Sequence, residues 1–192
     1  MSERSELEAR RAGQMLAMSG PSGAGKSTLC KMLLQDPRVH FSVSATTRKP
    51  RAGEVDGRDY HFITPERFRG LIREGAFIEH AEVHGNLYGT LRKPMEEALA
   101  RGEVYLLEID VQGANQLQAL GEPGLYVFVA PPDFETLRKR LIGRGTDTTE
   151  VIERRLKKAE DEYRERVKYD HVVINDDVQR ALGEIRALVG LE

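Results

Sequence analysis

A glycine-rich segment that ends in lysine and serine carries the clearest chemistry in the sequence. Residues 20–27 fit the pattern G-x-x-x-x-G-K-[ST], between an apolar run at 15–19 and a segment with helical character at 26–34. Glycines let successive backbone N–H groups converge on phosphate oxygens, and the following helix adds partial positive charge. Lys26 would bridge the outer phosphates of a nucleoside triphosphate, and the Ser27 hydroxyl would hold Mg²⁺. A glycine-rich turn without a ligand is the alternative. The predicted triphosphate-binding residues are Gly20, Pro21, Ser22, Gly23, Ala24, Gly25, Lys26, Ser27 and Thr28.

Two acids follow a second apolar run. Residues 104–109 read as a buried strand, and Glu108 and Asp110 lie at its carboxyl end, two residues apart and so on one face. An acid there would point toward the loop-bound phosphates and orient the waters around Mg²⁺. Asp110 is the better candidate, and the alternative is that its carboxylate only caps the following helix.

A pair of arginines three residues apart is the third signal. Arg48 and Arg51 flank Pro50, which stiffens the turn between them, so both guanidinium groups can reach one phosphate. Taken alone, such a pair is more often a solvated surface.

The elements that must position these residues alternate between strand and helix. This order predicts an α/β fold, a parallel sheet with helices on both faces and ligands at the carboxyl ends of the strands. Residues 45–90 interrupt this alternation and are predicted to form an inserted lobe. A strand is expected at 41–45. A helix is expected within the lobe, with Thr64 as its cap and Pro65 at its first position. Asp133 is expected to cap a helix that ends near Ile142. The first 14 residues are expected to form a flexible tail, and the rest a single domain.

Composition narrows the classes of protein. The chain has 192 residues, of which 40% are hydrophobic and 31% charged, and this composition excludes disorder of the whole chain. Its net charge of −2 excludes an overall electrostatic field that would attract nucleic acid or an anionic membrane. No run approaches the length needed to cross a bilayer, and the N-terminal residues resemble no targeting signal. The single cysteine, Cys30, fits a reducing compartment, so we expect a cytoplasmic protein.

The segment around the two arginines closely resembles the GMP-binding segment of guanylate kinases, a family of P-loop nucleoside monophosphate kinases. The resemblance runs from Gln14 to the C-terminus in several ordered motifs. They are residues 42–60, 77–79 (Phe77, Ile78, Glu79), 85–90, 109–113, 131–132, 143–146 and 173–177. Leu87 and His84 depart from the residue types common in the family, which leaves only local packing in doubt.

The resemblance implies a role for each matching residue. Arg48, Arg51, Tyr60 and Tyr88 would bind the GMP phosphate; Ser44, Glu79 and Thr90 would read guanine, and Asp110 would also lie in the GMP site. A carboxylate suits this role because it can accept two parallel hydrogen bonds from the N1–H and N2–H₂ of guanine. Arg140, Arg144 and Arg155 would close over ATP from a mobile lid, and Asn175 would lie near adenine. The alternative for each arginine is ordinary helix-surface charge.

The function expected from these features is direct, in-line transfer of the γ-phosphate from MgATP to GMP. Lys26, Arg48, Arg144 and Arg155 are the expected catalytic residues, and no general base is needed because the attacking phosphate oxygen is already anionic. The resemblance implies a core of 15–44, 91–139 and 159–192, a GMP lobe of 45–90 and a lid of 140–158. A non-catalytic interaction module of this fold and a kinase for another small acceptor are the alternatives, and the oligomeric state stays open.

Overall fold

Two β-sheets of different character organise the molecule. The computed structural model describes residues 13–83, 85–143 and 148–192. Its strands are β1 (Gln14–Ser19), β2 (Val39–Phe41), β3 (Ala45–Thr46), β4 (His61–Phe62), β5 (Phe77–Val83), β6 (Asn86–Leu91), β7 (Val104–Glu108), β8 (Leu125–Ala130) and β9 (His171–Ile174). Five of them form an all-parallel sheet in the order β2-β7-β1-β8-β9, so β1 is the central strand.

Helices cover both faces of the parallel sheet. The α-helices of the described residues are α1 (Lys26–Leu33), α2 (Pro65–Arg73), α3 (Arg92–Ala100), α4 (Val111–Ala119), α5 (Phe134–Ile142), α6 (Thr149–Arg164) and α7 (Val178–Leu188). Of these, α1 and α7 cover one face of the parallel sheet, and α3 and α4 cover the other. Alternate residues of β1 serve opposite faces, as the strand period of two requires. Leu16 and Met18 pack in one cluster with α1 and α7, while Met15 and Ala17 pack in another with α3 and α4. The predicted α/β fold class is confirmed.

The second sheet is small and mostly antiparallel. Its order is β4-β3-β6-β5, and Phe68 of α2 stacks on Phe77 beneath it with ring centroids 4.4 Å apart. The predicted cap of α2 is confirmed, because the Thr64 side chain accepts a hydrogen bond from the Arg67 N–H at 3.2 Å. The sheet thus rests on an apolar core of its own.

The prediction of one strand at 41–45 is wrong. β2 ends at Phe41 and pairs with β7 of the parallel sheet, whereas β3 begins at Ala45 and pairs with β6 of the small sheet. The intervening residues cross from one sheet to the other. Apolar residues that belong to two sheets therefore read as one continuous strand in the sequence.

Helices α5 and α6 form a third packed unit. Leu137 and Leu141 of α5 meet Ile152, Leu156 and Ala159 of α6 in a separate apolar cluster. The predicted cap of α5 is confirmed, because the Asp133 carboxylate accepts a hydrogen bond from the Thr136 N–H. None of the helices in the described part of the chain is both long and apolar enough to cross a membrane.

Candidate active site

The glycine-rich loop lies between the central strand β1 and helix α1, as the sequence predicted. Gly20 has φ +132°, and a Cβ there would lie 2.2 Å from the Val129 carbonyl oxygen, so only glycine lets the chain leave the strand this way. Gly25 has φ +96° and stands at the N-cap of α1, where no side chain caps the helix. The first N–H groups of α1 can therefore bind an anion.

Lys26 folds back over this loop. Its ammonium group donates hydrogen bonds to the carbonyl oxygens of Gly20 and, at 3.1 Å, Pro21. Burial lowers the pKa of Lys26, and the nearby Glu108 carboxylate opposes that shift. A cavity of about 570 Å³ opens in front of the loop. Its lining also includes Phe41, Asp59, Tyr60, Glu108, Asp110, Lys158 and Glu162. Of these, the sequence analysis had not predicted Phe41, Asp59, Lys158 and Glu162 as site residues.

The two acids after β7 make different contacts. Met18 of β1 lies beside Glu108 in the parallel register, which places Glu108 next to the loop, and Ser27 Oγ donates a hydrogen bond to Glu108 Oε1 at 2.6 Å. The Asp110 carboxylate caps α4 by accepting a hydrogen bond from the Gly113 N–H at 2.8 Å. The capping contact left open by the sequence is thus present, although Asp110 also lines the cavity.

The side-chain oxygens of Ser27 and Glu108 are suitable ligands for Mg²⁺, but they do not enclose a cation. Mg²⁺ prefers oxygen ligands and keeps several waters, with one or two protein groups and the substrate phosphates completing its shell. Ser27 and Glu108 offer such oxygens at the loop. Among residues 13–83, 85–143 and 148–192, no three His, Cys, Asp or Glu side chains gather into a complete metal site.

Arg48 is surrounded by aromatic rings and by one acid, Glu54, whose role the sequence analysis missed. Its two terminal nitrogens each donate a hydrogen bond to Glu54, both at 2.9 Å, and its guanidinium carbon lies 5.4 Å from the centre of the Tyr60 ring. Glu54 also accepts the backbone N–H of Arg51 at 2.7 Å. The Arg48 guanidinium holds the pKa of Glu54 at about 2. The sequence signal that could have revealed this pair was an acid six residues after the arginine, within one tight turn.

The other residues predicted to bind phosphate lie nearby. Tyr60 and Tyr88 meet edge to face with ring centroids 6.0 Å apart. Arg51 is exposed on the same turn as Arg48. The structure therefore gathers Arg48, Tyr60 and Tyr88 directly and keeps Arg51 within the same loop.

Glu79 and Thr90 lie opposite each other on β5 and β6. Thr90 Oγ1 donates a hydrogen bond to Glu79 Oε1 at 2.7 Å, and Thr90 is almost fully buried. Burial raises the pKa of Glu79, while the hydrogen bonds from Thr90 lower it. Ser44 lies on the crossing between the two sheets, where its carbonyl accepts the His61 N–H. The half-buried Glu79 carboxylate thus has one oxygen already held by Thr90. It lines a second cavity, with Ile78 and His80, and not the cavity in front of the phosphate loop.

The residues predicted for the lid and for adenine are spread over three elements. Arg140 of α5 donates hydrogen bonds to the Asn175 and Ala24 carbonyl oxygens at 2.9 and 3.4 Å. The Asn175 side chain also contacts Ala24, with Nδ2 2.7 Å from the carbonyl oxygen. Arg155 is partly buried on α6. Arg144 lies outside the described residues.

A phosphate-binding loop after the central strand of a parallel α/β sheet is the defining feature of P-loop kinases, and the chain is a protein of this class. The family model for guanylate kinase matches residues 12–191. The chain belongs to the guanylate kinase family.

Individual relatives agree with that family. A guanylate kinase of Nitratidesulfovibrio vulgaris is 52% identical over 92% of this chain and 86% of its own length. One from Geobacter metallireducens is 47% identical over 95% of this chain and 91% of its own. The crystal structure of guanylate kinase from Anaplasma phagocytophilum superposes with a TM-score of 0.72 at 36% identity, covering 94% of this chain and 86% of that one.

Proposed function

We propose that the chain transfers the γ-phosphate of ATP to GMP, giving ADP and GDP, by direct in-line displacement. The observation that carries this proposal is the shared cavity, in which Gly25 and Lys26 of the phosphate loop line the same space as Tyr60 of the arginine-bearing lobe. Two phosphate-binding elements that face one cavity suit transfer between two phosphorylated molecules. The intact Lys26 and Ser27 argue against a non-catalytic module of this fold.

ATP would bind with its outer phosphates in the loop. The backbone N–H groups at residues 22–25 and the start of α1 would hold the β-phosphate, and Lys26 would exchange its carbonyl partners for phosphate oxygens. Mg²⁺, when bound, supplies neutralisation of phosphate charge. We propose Ser27 as its direct ligand and Glu108 as the acid that orients this hydroxyl, whereas Asp110, as a cap of α4, would act through water or toward GMP.

GMP would bind in the lobe of the small sheet. Arg48, Arg51, Tyr60 and Tyr88 would hold its phosphate, whose anionic oxygen attacks without a general base. Glu79 would accept the N1–H and N2–H₂ of guanine, with Ser44 and Thr90 as further polar groups beside the base. Although burial raises the pKa of Glu79, two guanine donors would stabilise its ionised form.

Closure of the segment that runs from the end of α5 into α6 would complete the site. We propose that the lid, residues 140–158, brings Arg144 and Arg155 onto the transferring phosphate, where they neutralise charge with Lys26 and Arg48. Closure would also exclude water, which otherwise competes with GMP for the γ-phosphate. The proposed division is a core of 15–44, 91–139 and 159–192, with the GMP lobe at 45–90.

The test of guanine reading is Glu79→Gln. Glutamine turns one acceptor into a donor that collides with a guanine N–H, with little change in size. We expect kcat/KM for GMP to fall at least about a hundredfold, or roughly 2.7 kcal/mol, while ATP binding measured alone barely changes. The ratio of GMP to AMP efficiency should fall with it.

Two variants serve as controls for this experiment. Glu82→Gln makes the same chemical change on an exposed residue of the same strand and should leave both efficiencies near those of the parent. Lys26→Met should remove turnover with either acceptor, since it deletes the charge on the phosphates. A GMP-to-AMP ratio that is unchanged in Glu79→Gln would contradict the assignment and point to Ser44 and Thr90.

A further inference from the structure

Helix α6 carries a charged pair that lines the cavity in front of the phosphate loop. Lys158 and Glu162 lie one turn apart, and both line this cavity together with Gly25 and Lys26. The Lys158 ammonium nitrogen lies 3.3 Å from Glu162 Oε1. Neither side chain has a part in the proposed transfer. We propose that Lys158 is a further binding residue for the outer phosphates of ATP and that Glu162 positions its ammonium group.

Close packing sets the position of α6 relative to the loop. A Cβ on Gly23 of the loop would lie 2.9 Å from Leu137 Cδ1 of α5, and Leu137 packs in one apolar cluster with α6. Tyr163, the residue after Glu162, meets the Phe128 ring of β8 edge to face, with ring centroids 6.1 Å apart. The part of α6 that carries Glu162 is therefore held against the core beside the phosphate loop.

The two members of the pair differ in exposure. Only 14% of the Glu162 side chain is exposed, against 62% of the Lys158 side chain, so the carboxylate is the fixed partner and the ammonium the adjustable one. The Glu162 carboxylate also lies near enough to the buried Lys26 to oppose the lowering of its pKa. An ammonium group on a flexible four-carbon stem, one turn from this carboxylate, can therefore reach a ligand that Lys26 binds.

The carboxylate by itself would hinder the binding of ATP. The triphosphate brings several negative charges into the cavity, and an unpaired Glu162 would repel them. Lys158 can bind both groups at once, because an ammonium group has three N–H donors for the carboxylate and the phosphate oxygens. This inference depends on the proposed function only in taking the loop as the site of the ATP phosphates.

The test is a calorimetric titration of MgATP, without acceptor, into the parent and into Lys158→Met. Methionine removes the charge from an exposed side chain and keeps an unbranched stem, so the variant should fold. We expect the dissociation constant for MgATP to rise about tenfold. Lys157→Met is the matched control. It removes the same charge from the preceding residue, which lines a separate cleft with Phe134 and Glu135, and should bind MgATP as the parent does.

A second comparison tests the role of Glu162. In the Glu162→Gln background, Lys158→Met should raise the dissociation constant for MgATP only about threefold, because no carboxylate is then left facing the phosphates. Equal factors in the two backgrounds would overturn the positioning by Glu162.

The remaining outcomes decide the role of Lys158. Unchanged binding of MgATP in Lys158→Met, or an equal loss in Lys157→Met, would overturn the proposal. Weaker binding of GMP with unchanged binding of MgATP would overturn it in favour of a contact with the acceptor phosphate. Because no turnover is measured, failure of this test leaves the proposed transfer to GMP intact.

Discussion

The turn that carries Arg48 depends on a single carboxylate. Glu54 accepts two hydrogen bonds from the Arg48 guanidinium and a third from the Arg51 backbone, all at 2.9 Å or less. This contact occupies the end of the guanidinium fork, and Nη1 also donates a hydrogen bond to the Lys49 carbonyl oxygen at 2.8 Å. The Arg48 side chain is only 14% exposed, so the pair is held more firmly than a surface ion pair. Glu54 therefore orients the arginine instead of merely neutralising it.

Glu54→Gln tests this role. Glutamine keeps the size but presents an N–H₂ group to one guanidinium nitrogen, so Arg48 should lose its fixed orientation. We expect KM for GMP to rise about tenfold and KM for ATP to stay within about twofold of the parent, as measured by steady-state kinetics.

A surface pair in the same lobe provides the control. Glu74→Gln breaks the exposed pair with Arg67 and should change neither constant. A fall in KM for GMP in Glu54→Gln would show instead that Glu54 competes with the phosphate.

At the scale of elements, the end of α5 and the first turns of α6, which lie in the proposed lid of 140–158, are suited to move together. Their shared apolar cluster is separate from the two clusters that flank the parallel sheet, and Arg138 of α5 pairs with Glu153 of α6 outside it. A unit with its own core can change position without exposing the core of its neighbours. Lys158 and Glu162 of α6 line the cavity, so ligands bound there can contact this helix directly.

Hydrogen exchange measures this motion. ATP and GMP together should slow exchange in peptides covering residues 149–158 more than either ligand does alone, because only the pair lets the lid close on both substrates. Peptides from β1 and β8 serve as the internal reference, since they lie in the buried centre of the sheet. Protection that is the same with one ligand as with both would contradict a closing lid.

At the scale of the whole molecule, one acid ties the C-terminal end of the chain to the core. Asp36 accepts hydrogen bonds from Arg38 at 2.8 Å and from Arg186 of α7 at 3.3 Å, and Arg186 also binds the Leu191 carbonyl oxygen at 2.8 Å. The hydrogen bonds from Arg38 lower the pKa of Asp36 to about 2. A carboxyl whose pKa is lowered by folding stabilises the native state above its ordinary pKa and loses that contribution as pH falls toward 2.

Acid denaturation should report this contact. The free energy of unfolding, measured with urea at pH 6, 4 and 3, should fall between pH 4 and 3 more steeply in the parent than in Asp36→Asn, which has no carboxyl to protonate at this position. Asp161→Asn removes an exposed acid paired with Arg164 and should keep the parental slope. Equal slopes in the parent and Asp36→Asn would contradict the role of Asp36.

Sequence reasoning predicted the structural features that depend on residues close together in the chain. It missed those that depend on contacts between residues far apart in the chain. The phosphate loop and the caps at Thr64 and Asp133 are short-range features, in which each residue acts on the next turn of chain. The break between β2 and β3 follows from pairing with strands far along the chain, and no local pattern encodes it. The same holds for the contact from Asn175 to Ala24.

The choice of acceptor is the central claim, and one assay tests it most directly. ADP release from MgATP is measured in a coupled assay with GMP, AMP, CMP and UMP side by side. A site that hydrogen-bonds a substrate group rejects analogues lacking it by on the order of 10⁴-fold, so kcat/KM for GMP should exceed that for each other nucleotide at least about a thousandfold. Comparable efficiency with AMP, CMP or UMP, or ADP release that GMP does not stimulate, would contradict the account.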